Sequence, residues 1–202
     1  MKTIVFDTGP IISLTLNNLC HILDGLKEKS NVVFYIPPKV KRELVDKPIE
    51  TRKFKFEALQ VLYHIKKGTI NIYDNKNLHP KAKYLLDLAN SCYSIDKRNV
   101  EIVHYAEIQA VAAALILDAP VVVIDERTTR MLCEKPENLH KLLETKLHTK
   151  IRFKKENLAY FSKFRFIRSS ELVYIAYKKN LVNLKNENVL DALLYAVKYK
   201  SI

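Results

Sequence analysis

Apolar runs alternate along this chain with longer segments in which apolar residues recur every three or four positions. The segments that predict β-strands are residues 3–6, 32–36, 69–73 and 121–124. The segments that predict helices are residues 11–26, 54–67, 80–94, 104–117, 127–134, 137–147 and 189–199. Strands with continuous apolar runs are typically buried on both faces. The pattern therefore predicts an α/β fold, a three-layer α/β/α sandwich with a central parallel sheet.

Proline and glycine mark the ends of several predicted elements. Pro10 suits the first turn of the first helix, which we expect to stop at Gly25. Pro37 and Pro38 end the second strand and begin a short helix through Val45. Only three glycines occur in the chain, which argues against a fold whose site is a glycine-rich phosphate loop.

The periodic pattern weakens after residue 150. We therefore expect one domain over residues 1–150, followed by a C-terminal extension over residues 151–202 that packs on that domain or continues it. Residues 146–168 hold eight Lys or Arg and one Glu, with aromatic residues between them. Such a segment suits RNA, because aromatic rings stack on bases and cations bind the backbone. The equal alternative is an amphipathic segment whose aromatic residues lie in the core.

The chain is strongly basic, with a formal net charge of +12 over 202 residues. This surplus favours an anionic partner such as nucleic acid, and the alternative is a basic but inert surface. The three cysteines form no CxxC pair, which excludes a zinc ribbon and fits a reducing cytosol. The longest apolar stretch, residues 105–124, is interrupted by polar residues. We therefore expect no membrane span and a cytoplasmic protein.

Two acidic residues directly follow apolar strands in the predicted sheet. Asp7 comes after residues 3–6, and Asp125 comes after residues 121–124. Ligands of an open parallel sheet bind outside the carboxyl ends of its strands, so both carboxylates belong at the same edge. The alternative for each is an Asp that only caps the following helix.

Two further carboxylates lie on predicted helices. Glu107 belongs to a helix that is apolar nearly all round, where an ionised carboxylate is costly unless it is paired or binds a metal. The alternative for Glu107 is a first-turn residue that the helix dipole stabilises. Glu43 follows the second strand by one helical turn and borders the apolar stripe of Val40 and Leu44. Taken alone, Glu43 is more typical of a solvated helix residue.

The four carboxylates together indicate a site with oxygen ligands only. The six histidines show no ligand spacing, so the set suits Mg²⁺ or Mn²⁺ better than zinc. Such ions bind a phosphate oxygen, activate a water and stabilise the leaving oxygen. The positive charge elsewhere supplies affinity for a phosphate backbone. An acidic site within a basic protein therefore predicts phosphodiester hydrolysis.

Four segments of the chain resemble, in order, the motifs of PIN-domain nucleases, the family of VapC-type toxins and several RNA-processing enzymes. Residues 4–13 resemble the opening strand with its catalytic Asp, here Asp7. Residues 36–44 and 105–114 resemble the segments of the second and third acids, here Glu43 and Glu107. Residues 121–130 resemble the segment of the fourth, here Asp125.

The resemblance implies an α/β/α nuclease domain over residues 1–150 and an endoribonuclease that depends on Mg²⁺ or Mn²⁺. It implies that the four acids are both metal ligands and catalytic residues. It also implies a homodimer, a small antitoxin protein as a possible partner, and cleavage that leaves a 5′-phosphate and a 3′-hydroxyl. The protein would then be a toxin of a toxin–antitoxin pair or an RNA-processing factor.

Four more residues are candidates for substrate contacts. Thr8 and Ser13 can hydrogen-bond metal-bound water or phosphate, although Ser13 equally suits an ordinary helix position. Arg127 and Arg130 follow Asp125 and can contact phosphate, and the alternative is a solvated or helix-pairing role. The rival hypothesis for the whole chain is a catalytically silent PIN-like module that binds RNA or protein. Retention of all four acids favours the enzyme.

Overall fold

The computed structural model describes residues 2–96, 98–158, 161 and 165–199. Its strands are β1 (Lys2–Phe6), β2 (Val32–Ile36), β3 (Ile70–Ile72), β4 (Tyr93–Ile95), β5 (Arg98–Asn99), β6 (Val121–Val123), β7 (Arg152–Phe153) and β8 (Arg165–Ile167). Its helices are α1 (Thr8–Leu16), α2 (His21–Ser30), α3 (Pro38–Lys41), α4 (Lys47–Thr51), α5 (Lys55–Lys66), α6 (Leu78–Asn90), α7 (Tyr105–Ile116), α8 (Arg127–Glu134), α9 (Pro136–Leu147), α10 (Ser169–Lys178) and α11 (Val189–Tyr199). A π-helical turn, Arg42–Asp46, joins α3 to α4, and a 3₁₀ turn, Lys155–Leu158, follows β7.

The main sheet has five parallel strands in the order β3-β2-β1-β6-β8. Strand β1 lies between β2 and β6, with Ile4 opposite both Phe34 and Val121. Helices pack on both faces of this sheet. The predicted three-layer α/β/α sandwich with a parallel central sheet is therefore confirmed.

Successive residues of the central strands point to opposite faces of the sheet. Val5 and Val122 lie in a core with residues of α6, α7 and α9. Phe6 and Val123 lie in a second core with residues of α1, α2 and α10. All four side chains are fully buried, which explains why these strands are apolar without alternation. Burial on both faces holds the strand ends, and so positions the residues that follow them.

The predicted helix over residues 11–26 is wrong in its extent, because two helices occupy this region. Helix α1 ends at Leu16 and α2 begins at His21, with Asn18 between them at a φ of 55°. Helix α2 then continues through Gly25 to Ser30. A Cβ atom at Gly25 would lie 2.3 Å from a methyl carbon of Leu181. This glycine therefore marks a close contact within the helix and not its end.

The predicted helix over residues 80–94 is also wrong at its end. Helix α6 stops at Asn90, and the next residues enter β4, which pairs antiparallel with β5 and β7 in a second, three-stranded sheet. The ring of Tyr93 is fully buried and stacks on Phe153, with 4.9 Å between ring centroids. Tyr93 continues the apolar spacing of α6, so periodicity alone extends the helix past its true end.

The chain after residue 150 contributes a strand to the main sheet. Strand β8 pairs with β6, and the Ile124 N–H donates to the Ile167 carbonyl at 3.0 Å. Phe166 of β8 is buried in the core of α6, α7 and α9. Leu172 and Val173 of α10 are buried in the same core as Phe6. Neither β8 nor α10 is predicted by the apolar pattern.

Packing in the core explains some of the aromatic residues in the basic segment, residues 146–168. Phe161 and Phe166 are buried, which matches the core alternative for these two side chains. Tyr160 and Phe164 lie outside the described residues. Among the described helices, none is long and apolar enough to cross a membrane.

Candidate functional site

The candidate site lies at the carboxyl edge of the main sheet, where β1 and β6 are neighbours. From β1 the sheet extends through β2 and β3 on one side, and through β6 to β8 on the other. Ligands of open parallel sheets bind in the crevice where the strand order reverses in this way. Asp7 follows β1 directly and Asp125 follows β6 by two residues. Both carboxylates therefore lie at this switch point.

Asp7 is the most deeply buried of the four acids, with 5% of its surface exposed. Its Oδ1 atom is buried and has no hydrogen-bond partner among the described residues. Burial raises the pKa of Asp7 to about 7, and the charges of Glu107 and Glu43 add to the rise. Hydrogen bonds from the backbone N–H groups of Thr8 and Gly9 lower this pKa but do not offset the effect of burial. A cation beside Asp7 would remove this cost, because it compensates the buried charge.

Asp125 is held by hydrogen bonds to both of its carboxylate oxygens. Its Oδ1 accepts the backbone N–H of Ser169 at 2.8 Å, and its Oδ2 accepts the hydroxyl of Ser13 at 3.4 Å. Ser13 is buried, and its hydroxyl is directed to the acid. Ser169 is the first residue of α10 and lies far from Asp125 in sequence, so sequence reasoning missed this contact.

Gly9 lies beside both aspartates and leaves room on the side where a Cβ atom would be. A Cβ atom at this position would lie 3.9 Å from Asp7 Oδ2 and 4.0 Å from Asp125 Oδ2. The two oxygens thus face a common space beside Gly9. Asp7 and Asp125 are therefore the two residues that would hold a cation placed in that space.

Glu43 lies on the π-helical turn and is tied to the start of α1. The hydroxyl of Thr8 donates to Glu43 Oε2 at 2.9 Å, and Lys39 Nζ lies 3.4 Å from Glu43 Oε1. The Glu43 side chain is 32% exposed, so it is intermediate between a buried ligand and a fully solvated residue. Single π-helical turns are frequent at functional sites.

Glu107 combines partial burial with a local role in its helix. Its Oε2 accepts the backbone N–H of His104 at 2.7 Å, which completes a capping interaction at the start of α7. Burial raises the pKa of Glu107, the backbone hydrogen bond of His104 lowers it, and the charge of Glu126 adds to the rise. No ion pair involves Glu107 among the described residues. The first-turn alternative therefore accounts for Oε2 of this carboxylate.

Gln109 links α7, which carries Glu107, to α3, which precedes the turn that carries Glu43, and sequence reasoning missed it. It is 6% exposed on a helix that is otherwise apolar on this face. Its Oε1 accepts the backbone N–H of Lys39 at 2.8 Å, and its Nε2 donates to the hydroxyl of Tyr105 at 3.3 Å. A lone Gln within an apolar helix was the available signal, since a buried amide requires partners.

The two arginines proposed for phosphate contact lie on α8, beside Asp125. Arg127 is exposed. The Arg130 side chain is 15% exposed, and its Nη2 lies 3.8 Å from Glu134 Oε2. This distance is too long for a hydrogen bond, so the helix-pairing alternative satisfies Arg130 only weakly. Glu126 caps α8 by accepting the N–H groups of Thr128 and Thr129.

Of the four acids, the structure brings Asp7 and Asp125 to a common space, while Glu43 and Glu107 contact other residues. Among the residues that the structure describes, no three His, Cys, Asp or Glu side chains lie close enough together to hold a metal ion. Asp7 and Asp125 share the space beside Gly9, whereas Glu43 turns to Thr8 and Glu107 to His104. The donor set still fits a hard divalent cation, because it is composed of oxygens and includes the unpartnered Asp7 Oδ1.

Comparisons of the chain with protein-family models, with curated proteins and with solved structures found no match.

Proposed function

We propose that this protein is a metal-dependent endoribonuclease in which Asp7, Glu43, Glu107 and Asp125 hold Mg²⁺ or Mn²⁺. The observation that carries the proposal is the pair of aspartates whose Oδ2 atoms face one space beside Gly9. That space lies at the switch point of a parallel sheet, where such folds bind their ligands. The basic character of the whole chain supports a polyanionic substrate.

The residues around the acids hold them in place. The Ser169 N–H and the Ser13 hydroxyl orient Asp125, and the Thr8 hydroxyl orients Glu43. A bound divalent cation would supply a polarised phosphate oxygen and a water of lowered pKa. With their hydroxyls directed to the carboxylates, Thr8 and Ser13 are best assigned as positioning residues. Phosphate binding falls to the basic side chains beside the site.

The resemblance to PIN domains supports two cellular settings. One is a toxin that a small antitoxin protein inhibits, and the other is an RNA-processing factor. Both settings are cytoplasmic, and in both a homodimer is the expected assembly.

A catalytically silent PIN-like module that binds RNA or protein is the second candidate. The observation that favours it is the incomplete gathering of the acids in the described residues. The buried Asp7 Oδ1, which has no hydrogen-bond partner among the described residues, argues the other way. Such a carboxylate lowers the stability of the folded state, and a pure scaffold gains nothing from it.

The experiment is cleavage of an end-labelled single-stranded RNA in Mn²⁺, in Mg²⁺ and in EDTA. We expect the wild type to cut with either metal, and Asp7→Asn and Glu107→Gln to lose more than about a hundredfold in rate. Gln at position 107 can still accept the His104 N–H, so this variant removes the charge and keeps the cap.

The matched control is Asp87→Asn, on the exposed face of α6. It makes the same chemical change as Asp7→Asn and should cut at the wild-type rate. Tight RNA binding without metal-dependent cutting, across several RNA sequences, would establish the silent module instead.

A further inference from the structure

A cleft of about 520 Å³ opens directly beside Asp125. It is formed by residues of α8 and α9, by the residue before α10 and by α11. The described residues that line it are Asp125, Arg127, Arg130, Met131, Glu134, Lys135, Asn138, Arg168 and Lys198. The cleft therefore shares Asp125 with the proposed metal site and extends away from it. Its volume lies within the range of sites that bind small ligands.

The lining of this cleft is dominated by positive charge. Five of its residues are Arg or Lys, and two are acidic, namely Asp125 and Glu134. Among the described residues, no carboxylate lies within salt-bridge distance of Arg127, Lys135 or Arg168. The cleft thus gathers three cations, Arg127, Lys135 and Arg168, that have no described acid within salt-bridge distance, and such an arrangement favours an anion.

Arg130 gives the cleft a partly buried donor that lacks a partner. Its side chain is 15% exposed, and its Nε–H is fully buried without a hydrogen bond among the described residues. The nearest described acid, Glu134, is 3.8 Å from Nη2. A guanidinium binds phosphate through two parallel hydrogen bonds, so the part of the Arg130 side chain that lines the cleft can donate to an anion there.

The described lining of the cleft offers no ring on which a base would stack. None of the described residues that line it is aromatic. Recognition of single-stranded bases depends mainly on stacking against aromatic rings, whereas the backbone is bound by Arg and Lys. The lining therefore suits the phosphate and sugar of a strand and does not select its sequence.

We infer that this cleft binds a backbone phosphate of the RNA strand next to the bond that is cut, through Arg130 with Arg127 and Arg168. The inference rests on the proposed nuclease function for its choice of ligand. Bound there, the strand would run from the cleft past Asp125 to the space beside Gly9. The cleft would thus set which phosphate of the strand reaches the carboxylates.

The test is binding of fluorescent 12-mers of oligo(U) and oligo(A) RNA in EDTA, at several salt concentrations. We expect Arg127→Gln/Arg168→Gln to weaken binding about tenfold. The slope of log affinity against log salt should become shallower by about 0.7 for each phosphate that the variant no longer neutralises. Both RNAs should be affected equally, because only the backbone is bound. Arg130→Lys keeps the charge and should weaken binding with little change in slope, because Lys cannot form the paired hydrogen bonds.

The control variant is Lys83→Gln/Lys141→Gln, which changes the net charge equally at exposed positions on α6 and α9 outside the cleft. Wild-type binding by this control and weakened binding by the cleft variant would support the inference. Equal weakening by both, no effect of either, or no binding by the wild type would overturn it. Because EDTA prevents cutting, RNA that binds through the cleft and is never cleaved with metal would reject the nuclease and leave the cleft standing.

Discussion

Gly9 is the residue at which the space between Asp7 and Asp125 can be closed without disturbing the fold. A Cβ atom there would make only ordinary contacts, the nearest at 3.6 Å from Asp125 Cβ. We expect the free energy of unfolding of Gly9→Ala to lie within about 1 kcal/mol of the wild-type value, because Ala suits a helix better than Gly. The methyl group would occupy the proposed cation space, so metal-dependent cleavage should fall sharply. Urea unfolding and the RNA cleavage rate measure the two effects.

Gly68→Ala is the matched control, because it should have the opposite profile. Gly68 has a φ of 75° and no neighbour within 4 Å of an added Cβ, so Ala would be strained there. We expect a loss of about 1 kcal/mol of stability and unchanged cleavage by the folded protein. Full activity of Gly9→Ala would show that the space between the aspartates is not used.

Asp7 should make the stability of the metal-free protein depend on pH. Its pKa is raised to about 7 in the folded state and returns to an ordinary value on unfolding. Between these two values the folded state holds a proton that the unfolded state has lost, so stability falls as the pH rises through this window. The accumulated loss is on the order of 4 kcal/mol. Urea unfolding in EDTA from pH 4 to 8 measures it.

The comparison with Asp7→Asn isolates this effect. The raised pKa of Glu107 and the lowered pKa of Asp24 also make stability depend on pH, but both groups are present in the wild type and in Asp7→Asn. We therefore expect the wild type to lose stability relative to Asp7→Asn as the pH rises. Parallel profiles for the two proteins would mean that Asp7 is not buried as described.

At the scale of elements, the apolar pattern predicts strands better than it predicts where helices end. The strand predicted over residues 32–36 forms β2 over the same residues, because one face of this strand is buried, the other is partly buried, and both therefore carry apolar or aromatic side chains. Helix ends depend on contacts that lie elsewhere in the chain. Gly25 permits the approach of Leu181, and Tyr93 is buried from a strand against Phe153. Neither contact can be read from local spacing.

Gln109 is predicted to fix the position of α7 relative to α3. Gln109→Leu keeps the burial of α7 but leaves the Lys39 N–H without its acceptor. We expect a loss of about 1–3 kcal/mol in the free energy of unfolding, since a donor loses its partner. Cleavage should also fall, because Lys39 lies one helical turn before Glu43. Urea unfolding and the cleavage rate of the folded protein measure the two effects.

Gln60→Leu makes the same substitution on α5, where Gln60 is half-buried and has no described hydrogen bond. It should change stability by less than about 0.5 kcal/mol. If Gln109→Leu were as mild as this control, the link between α7 and α3 would be of no structural consequence.

At the scale of the whole molecule, the sequence could predict which strand ends carry acids but not what completes the crevice. Asp7 and Asp125 follow from a rule about parallel sheets that needs only the order of elements. The partners of Asp125 come from distant parts of the chain, Ser13 in α1 and Ser169 in α10. Strand β8 has only three residues, of which one, Phe166, is buried, so it produces no apolar run. Its place beside β6 is fixed by packing rather than by local pattern.

This placement predicts that residues 1–150 do not fold alone. Truncation there removes β8 together with α10 and α11, and with them a set of buried apolar side chains. The set comprises Phe166, Leu172, Val173, Ala176, Val189, Leu193 and Val197. A large apolar side chain contributes roughly 1.5–3 kcal/mol when fully buried, and a whole domain is stable by only about 5–15 kcal/mol. The loss therefore approaches or exceeds the stability of the domain.

Circular dichroism of the 1–150 fragment should show no cooperative thermal transition, whereas the full chain should show one. Adding a peptide of residues 151–202 should restore the transition, because β8 can pair with β6 from a separate chain. This complementation experiment distinguishes a fragment that fails to fold because it lacks β8, α10 and α11 from a fragment that has only aggregated. A fragment of 1–150 that unfolds cooperatively by itself would make the C-terminal residues an appendage. Asp125 would then keep its place at the sheet edge without the N–H of Ser169.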